Sequence, residues 1–286
     1  VKRISLLAAI VALTIVPHAY AAANPWIRSL PDAQKKAKAA NQLIFVDLFA
    51  DWCGWCHRME QEVFPSQAFQ NATDDMVLLR LNTEDGGDGT NIARQFQATS
   101  LPTFLILNGD RQLAGLIRGY QPAPEFVKLL QGEEQKYKDF QGKMKGESSV
   151  TDPQKRLDLA KELRMRFALD DSERRFQKLV AERGVPDPVR DEAYYELALT
   201  QLASKKYVDS MNTLKKFGKV QKEGENFERS RLLISDVYIA QNNFPAAAQN
   251  LREFKKTFPK SKFVPNVDYV LPQIERQIQM TGSGKK

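Results

Sequence analysis

Cys53 and Cys56 are the only cysteines in this 286-residue chain, and two residues separate them. A bridge over so short a loop restrains the unfolded chain little, so the pair is better explained by reactivity than by structure. The segment Asp51-Trp52-Cys53-Gly54-Trp55-Cys56-His57 follows a run of apolar and β-branched residues and opens a stretch with helical spacing. A thiolate at the first turn of a helix meets unpaired backbone N–H groups and the positive end of the dipole, and its pKa falls. The second thiol, one turn on, can reach the first. Cys53 is therefore expected to be the exposed nucleophile, and Cys56 the buried thiol that resolves a mixed disulfide.

Two other chemistries use these residue types. Cys-x-x-Cys-His also fits haem attachment. Haem needs its own pocket and usually a second axial ligand, and His57 is the only histidine after residue 23. A structural zinc site needs four ligands, and Cys53, Cys56 and His57 have no evident fourth. Neither a metal nor a soluble cofactor is expected.

The elements that must position the pair are legible around it. Leu43 to Phe49 (LIFVDLF) and Met76 to Leu81 (MVLLRL) read as strands buried on both faces. Thr103 to Leu107 is a third strand, Asn108-Gly109-Asp110 a hairpin turn, and Leu113 to Ile117 its partner. Helices are expected over Pro31–Ala40, Trp52–Phe64 and Asn91–Phe96, with a closing helix starting at Pro124. The alternation predicts an α/β domain with a mixed central sheet flanked by helices.

From about residue 40 to 132 the sequence resembles the thioredoxin superfamily, on VDLFADWCGWC and on Leu101-Pro102-Thr103. The resemblance implies a buried acid at Asp47 that takes the proton of Cys56, with a pKa raised by desolvation. It puts Arg80 where the family often has a lysine that tunes this acid. It implies a cis-proline loop at Leu101 and Pro102 facing the cysteines, and a groove bordered by Gly119. Trp52, Gly54 and Trp55 join these as expected substrate contacts, Trp52 partly packed and Trp55 exposed. Trp55 replaces the family's usual proline between the cysteines, and Gln61 stands where a kinking proline is usual. The pattern is closer to exported or membrane-reductase-type domains than to cytosolic thioredoxin. The implied reaction is thiol–disulfide exchange with protein substrates, as reductase or isomerase, recharged by a membrane electron donor.

Lys2 and Arg3, the apolar run Ile4–Val16 and small residues up to Ala23 read as a cleavable signal peptide over 1–23. A periplasmic or secreted protein is the expectation. The net charge of +7 is scattered among acids with no recognition stripe, which argues against nucleic acid.

Three regions follow the leader: the thioredoxin-like domain over 24–140, a linker over 141–153, and an all-α region over 154–280, with a disordered tail over 281–286. The helical region repeats itself every 37 or 38 residues, as in Ala160, Ala198 and Ser235, or Phe176, Leu214 and Leu251. The spacing resembles the tetratricopeptide repeat, although the glycines expected in the helix–helix turns are absent. Such an array could recruit substrate or drive self-association. The rival to catalysis is an adaptor that binds through these repeats and uses the first domain as scaffold.

Overall fold

A computed structural model describes residues 25–282. The expected leader and residues 283–286 of the expected tail lie outside that range; residues 281–282 belong to the last helix. The chain folds first as α1 (Leu30–Ala40), β1 (Ile44–Phe49), α2 (Gly54–Arg58) and a π-helical turn (Met59–Val63). Next come α3 (Gln67–Ala72), β2 (Val77–Asn82), α4 (Asp88–Gln95), β3 (Thr103–Leu107), β4 (Leu113–Arg118) and α5 (Ala123–Lys145). The sheet order is β2-β1-β3-β4, with β1 parallel to β2 and both other pairings antiparallel. Ile27 adds a short parallel bridge on the outer edge of β2.

The two-residue period of β1 sorts its side chains between two cores. Ile44, Val46 and Leu48 pack with Leu79, Leu105 and Ile92 under α1 and α4. Phe45 points the other way, among Phe104, Phe126, Met59 and Val63. That parity also puts Asp47 on the face covered by the π-turn and α5. It explains why the strand reads as a nearly continuous apolar run: both faces are covered.

Twenty-three residues of α5 carry the chain past the expected end of the domain. Residues 141–145, placed in the linker by their composition, are helical, and a 3₁₀ turn (Glu147–Ser149) follows. Gly142 sits exposed in that helix, where it costs about 1 kcal/mol against alanine. Packing outweighs the cost, because Tyr137 and Phe140 of α5 are buried against Leu159 and Leu163.

The rest is three helical hairpins, α6 (Pro153–Met165) with α7 (Leu169–Ala181), α8 (Asp187–Ala203) with α9 (Tyr207–Val220), and α10 (Glu225–Ala240) with α11 (Phe244–Thr257). Helix α12 (Val264–Gly282) packs on α11 through Val267, Leu271 and Ile274. Ser172 and Ser210 each donate to the carbonyl twelve residues back, Ala160 and Ala198, both at 2.8 Å. These small residues are what lets paired helices approach. The missing glycines are replaced by left-handed residues at the same place in every turn: Phe167 (φ 60°), Lys205 (φ 59°) and Asn242 (φ 58°).

The first hairpin is joined to the sheet. Arg166 O accepts from Leu113 N at 2.7 Å, and Arg166 Nη1 donates to Leu113 O and Ala114 O. Phe167 meets Phe96 edge-on with ring centroids 4.6 Å apart. Leu159, Leu163 and Ala168 complete the core on the Phe45 face.

Candidate active site

The chain leaves β1 at Phe49, turns through Ala50, and enters α2 with Cys53 as its N-cap. Cys53 N donates to Ala50 O at 3.0 Å, and Cys53 O accepts from Cys56 N and His57 N. Cys56 N also lies 3.1 Å from Cys53 Sγ, so the first sulfur receives a helix N-terminal N–H. The two cysteines are joined as a disulfide, with Cα atoms 5.2 Å apart.

Cys53 is less open than expected. It keeps only 4 % of its surface accessible and Cys56 1 %. Phe49, Ala50 and Leu101 pack around the bridged pair. Trp52 corrects the expectation in the other direction. The residue is 70 % exposed, and its Nε1 donates to Glu84 at 2.8 Å. Trp55 is exposed, as expected, and its ring lies 5.2 Å from that of Tyr120.

The Leu101–Pro102 peptide is cis, and Leu101 packs against the cysteines. Gly119 N donates to Pro102 O at 2.9 Å, which ties the end of β4 to this loop. Gly119 has φ +80°, a conformation that needs glycine here, and a Cβ would find open space around it. Gly54, at the first turn of α2, likewise has nothing within 4 Å of a built Cβ.

Asp47 is 1 % exposed. It stands opposite Arg80 in the β1–β2 register, with Oδ2 and Arg80 Nε 3.0 Å apart. The charges touch, but no N–H is aimed well enough to bond either carboxylate oxygen. Burial pushes the Asp47 carboxyl up to about 7, with Arg80 and then Arg28 pulling it back. Burial also lowers the pKa of Arg80, against the attraction of Asp47. A carboxyl poised near neutrality and short of donors can take up a proton without first breaking a hydrogen bond.

Several residues at this site carry no obvious signal in the sequence. Glu60 pairs with Arg80 Nη1, and its other oxygen is 3.4 Å from His57 Nδ1. A chain of charges therefore runs from buried Asp47 to the surface. Glu60 could have been found from its place one helical turn after Cys56. Arg28 offers no such clue, because it comes from the bridge beyond β2. Arg58, Glu62 and Tyr120 form a cluster beside Trp55. The described residues hold no group of three or more histidine, cysteine or acidic side chains placed to bind a metal.

Comparison with known proteins bears on the first half of the chain. The thioredoxin-like domain family matches residues 30–133. The thiol:disulfide interchange protein DsbD of Actinobacillus pleuropneumoniae serotype 5b is 29 % identical over 108 residues, 36 % of this chain and 18 % of that protein. DsbD of Pseudoalteromonas atlantica is 33 % identical over 108 residues, 35 % of this chain and 18 % of the relative. The chain thus spans less than a fifth of the length of these relatives. Among solved structures, a DsbH oxidoreductase aligns over 44 % of this chain and 95 % of its own, at 14 % identity and a TM-score of 0.38. With the family match covering the sheet, the cysteine pair and the cis-proline loop, residues 30–133 form a thioredoxin-like domain.

Proposed function

We propose that the protein is an exported thiol–disulfide oxidoreductase that reduces or isomerises disulfides in protein substrates. The observation that carries this reading is the Cys53–Cys56 disulfide at a helix N-terminus, on the sheet face that holds a buried carboxyl without hydrogen-bond donors. In the reduced enzyme the Cys53 thiolate attacks a substrate disulfide. One substrate sulfur leaves as thiolate and takes up a proton, and the other stays bonded to Cys53. Asp47 accepts the Cys56 proton, and the Cys56 thiolate attacks Cys53 Sγ. The second substrate thiolate is released, and two electrons have passed from the dithiol to the substrate. The intramolecular disulfide is the end state of that turnover.

Leu101 and Pro102, with Gly119, Trp52, Gly54 and Trp55, form the surface a substrate segment meets. Arg80 tunes Asp47. A dithiol donor must return the enzyme to its reduced state. The curated relatives carry the name interchange protein, and an electron donor in the membrane fits a leader-bearing chain. The signal-peptide reading of residues 1–23 supports a reaction in the periplasm or an equivalent space. The helical hairpins are read as tetratricopeptide-like repeats that recruit substrate or a second copy.

Insulin reduction by the reduced protein tests the central claim. Cys53→Ser abolishes turnover in this reading, and Cys56→Ala retains attack but accumulates mixed disulfides on Cys53. Undiminished turnover by Cys53→Ser would dismiss the mechanism.

A further inference from the structure

Trp55 is the residue between the cysteines with the largest exposed apolar surface, 54 % of the residue. An exposed indole is ordinarily free to change rotamer, but this one is braced. Its ring lies on Tyr120 at 5.2 Å and 31°. The Arg58 guanidinium lies over both rings, 5.6 Å from Trp55 and 5.0 Å from Tyr120. Glu62 closes the assembly by accepting from the Tyr120 hydroxyl and from Arg58 Nε at 2.8 Å. Tyr120 is anchored from below, since its half-buried ring also packs on the Phe45-face core.

The placement gives the assembly a use. Tyr120 directly follows Gly119, whose N–H is bonded to the cis-proline loop. Arg58 and Glu62 come from α2 and the π-turn after the cysteines. The Glu62–Tyr120 bond therefore ties together the two elements between which a segment bonded to Cys53 would lie. The Glu62 carboxyl is held below the usual carboxylate range by the Tyr120 hydroxyl and by Arg58, so the tie persists at neutral pH.

We propose that Tyr120, Glu62 and Arg58 are specificity-determining residues that fix Trp55 as a platform for a large apolar side chain next to the substrate cysteine. This rests on the oxidoreductase reading, because only a polypeptide whose sulfur docks at Cys53 brings a side chain to that ring. A rigid ring accepts the side chain without losing rotamer freedom at the moment of binding, and that saving appears in affinity.

Two symmetric peptide disulfides test it on the reduced full-length protein, one with phenylalanine beside each cysteine and one with glycine. The wild type is expected to prefer the phenylalanine peptide about tenfold in kcat/KM. Tyr120→Phe and Glu62→Gln each cut that preference about threefold to tenfold, through KM, by loosening the platform. Trp55→Ala removes the preference, and adding Tyr120→Phe to it changes nothing more, as expected for residues acting through one ring. A wild type without preference overturns the proposal. So does a preference that survives both single variants at unchanged melting temperature, or a further loss in the double variant. If the wild type turns over neither peptide, the oxidoreductase reading fails and the proposal falls with it; a change in the ratio alone judges the proposal by itself.

Discussion

Asp47 holds a charge the fold does not welcome. Its carboxyl titrates at about 7 in the folded chain against 3.8 when exposed. A raised folded pKa means that Asp47 costs nothing below pH 3.8, where it is protonated in both states. Stability is then lost as pH rises from 3.8 towards about 7, where the unfolded chain's carboxyl is ionised and the buried one still protonated, and the loss levels off above that. Asp47→Asn should therefore stabilise the protein by up to about 4 kcal/mol at pH 8 and by little at pH 3.5. Urea unfolding at the two pH values measures this, and an equal increment at both would show that ionisation is not the cause. The same variant should slow the resolving step near neutrality, a trade of stability against activity. Asp47 was legible as a buried acid only through the resemblance of VDLFADWCGWC to the thioredoxin superfamily. The closed-in Cys53 and the open Trp52 were not legible. Both depend on partners far along the chain, Leu101 over the sulfurs and Glu84 at the indole.

The helical hairpins show how an element can keep its geometry after losing its signature residue. Each inter-helix turn closes with the same bond from a backbone N–H to the carbonyl five residues back: Ala168 to Leu163, Lys206 to Gln201, Asn243 to Tyr238, at 2.8–2.9 Å. That closure needs one left-handed residue, and glycine is its usual occupant. Asn242 tolerates the conformation through its short polar side chain, whereas Lys205 and Phe167 are strained there. Lys205→Gly should raise stability by about 0.5–1 kcal/mol, read as a higher melting temperature of the helical signal. A lower one would show that the lysine side chain contributes more than the turn conformation costs. The hairpins were legible from the 37- or 38-residue recurrence of small and large residues. The end of α5 was not, since Gly142 and Gly146 resemble a linker until the burial of Tyr137 and Phe140 is known.

At the scale of the whole molecule, the first hairpin and the thioredoxin-like region share a core, and that has a mechanical consequence. The junction grips β4 at Leu113 and Ala114. The cysteines lie at the opposite end of the sheet, where Leu48, Thr103 and Arg118 are in register. Five residues of strand separate the two ends, about 17 Å. The first hairpin thus grips the sheet at the end away from the cysteines. Leu163 is 3 % exposed and lies in that shared core, thirty residues beyond the matched domain. Leu163→Ala should cost about 2–5 kcal/mol, a large share of ordinary domain stability. It should lower the temperature at which disulfide reduction is lost. Leu251→Ala, as buried but in the third hairpin, acts on a neighbour-by-neighbour stack and should leave that temperature nearly in place while melting the far helices earlier. Thermal inactivation and helical melting followed on the same two variants decide the matter. If Leu163→Ala melts helices without touching the inactivation temperature, the two regions are independent and the junction is only a contact.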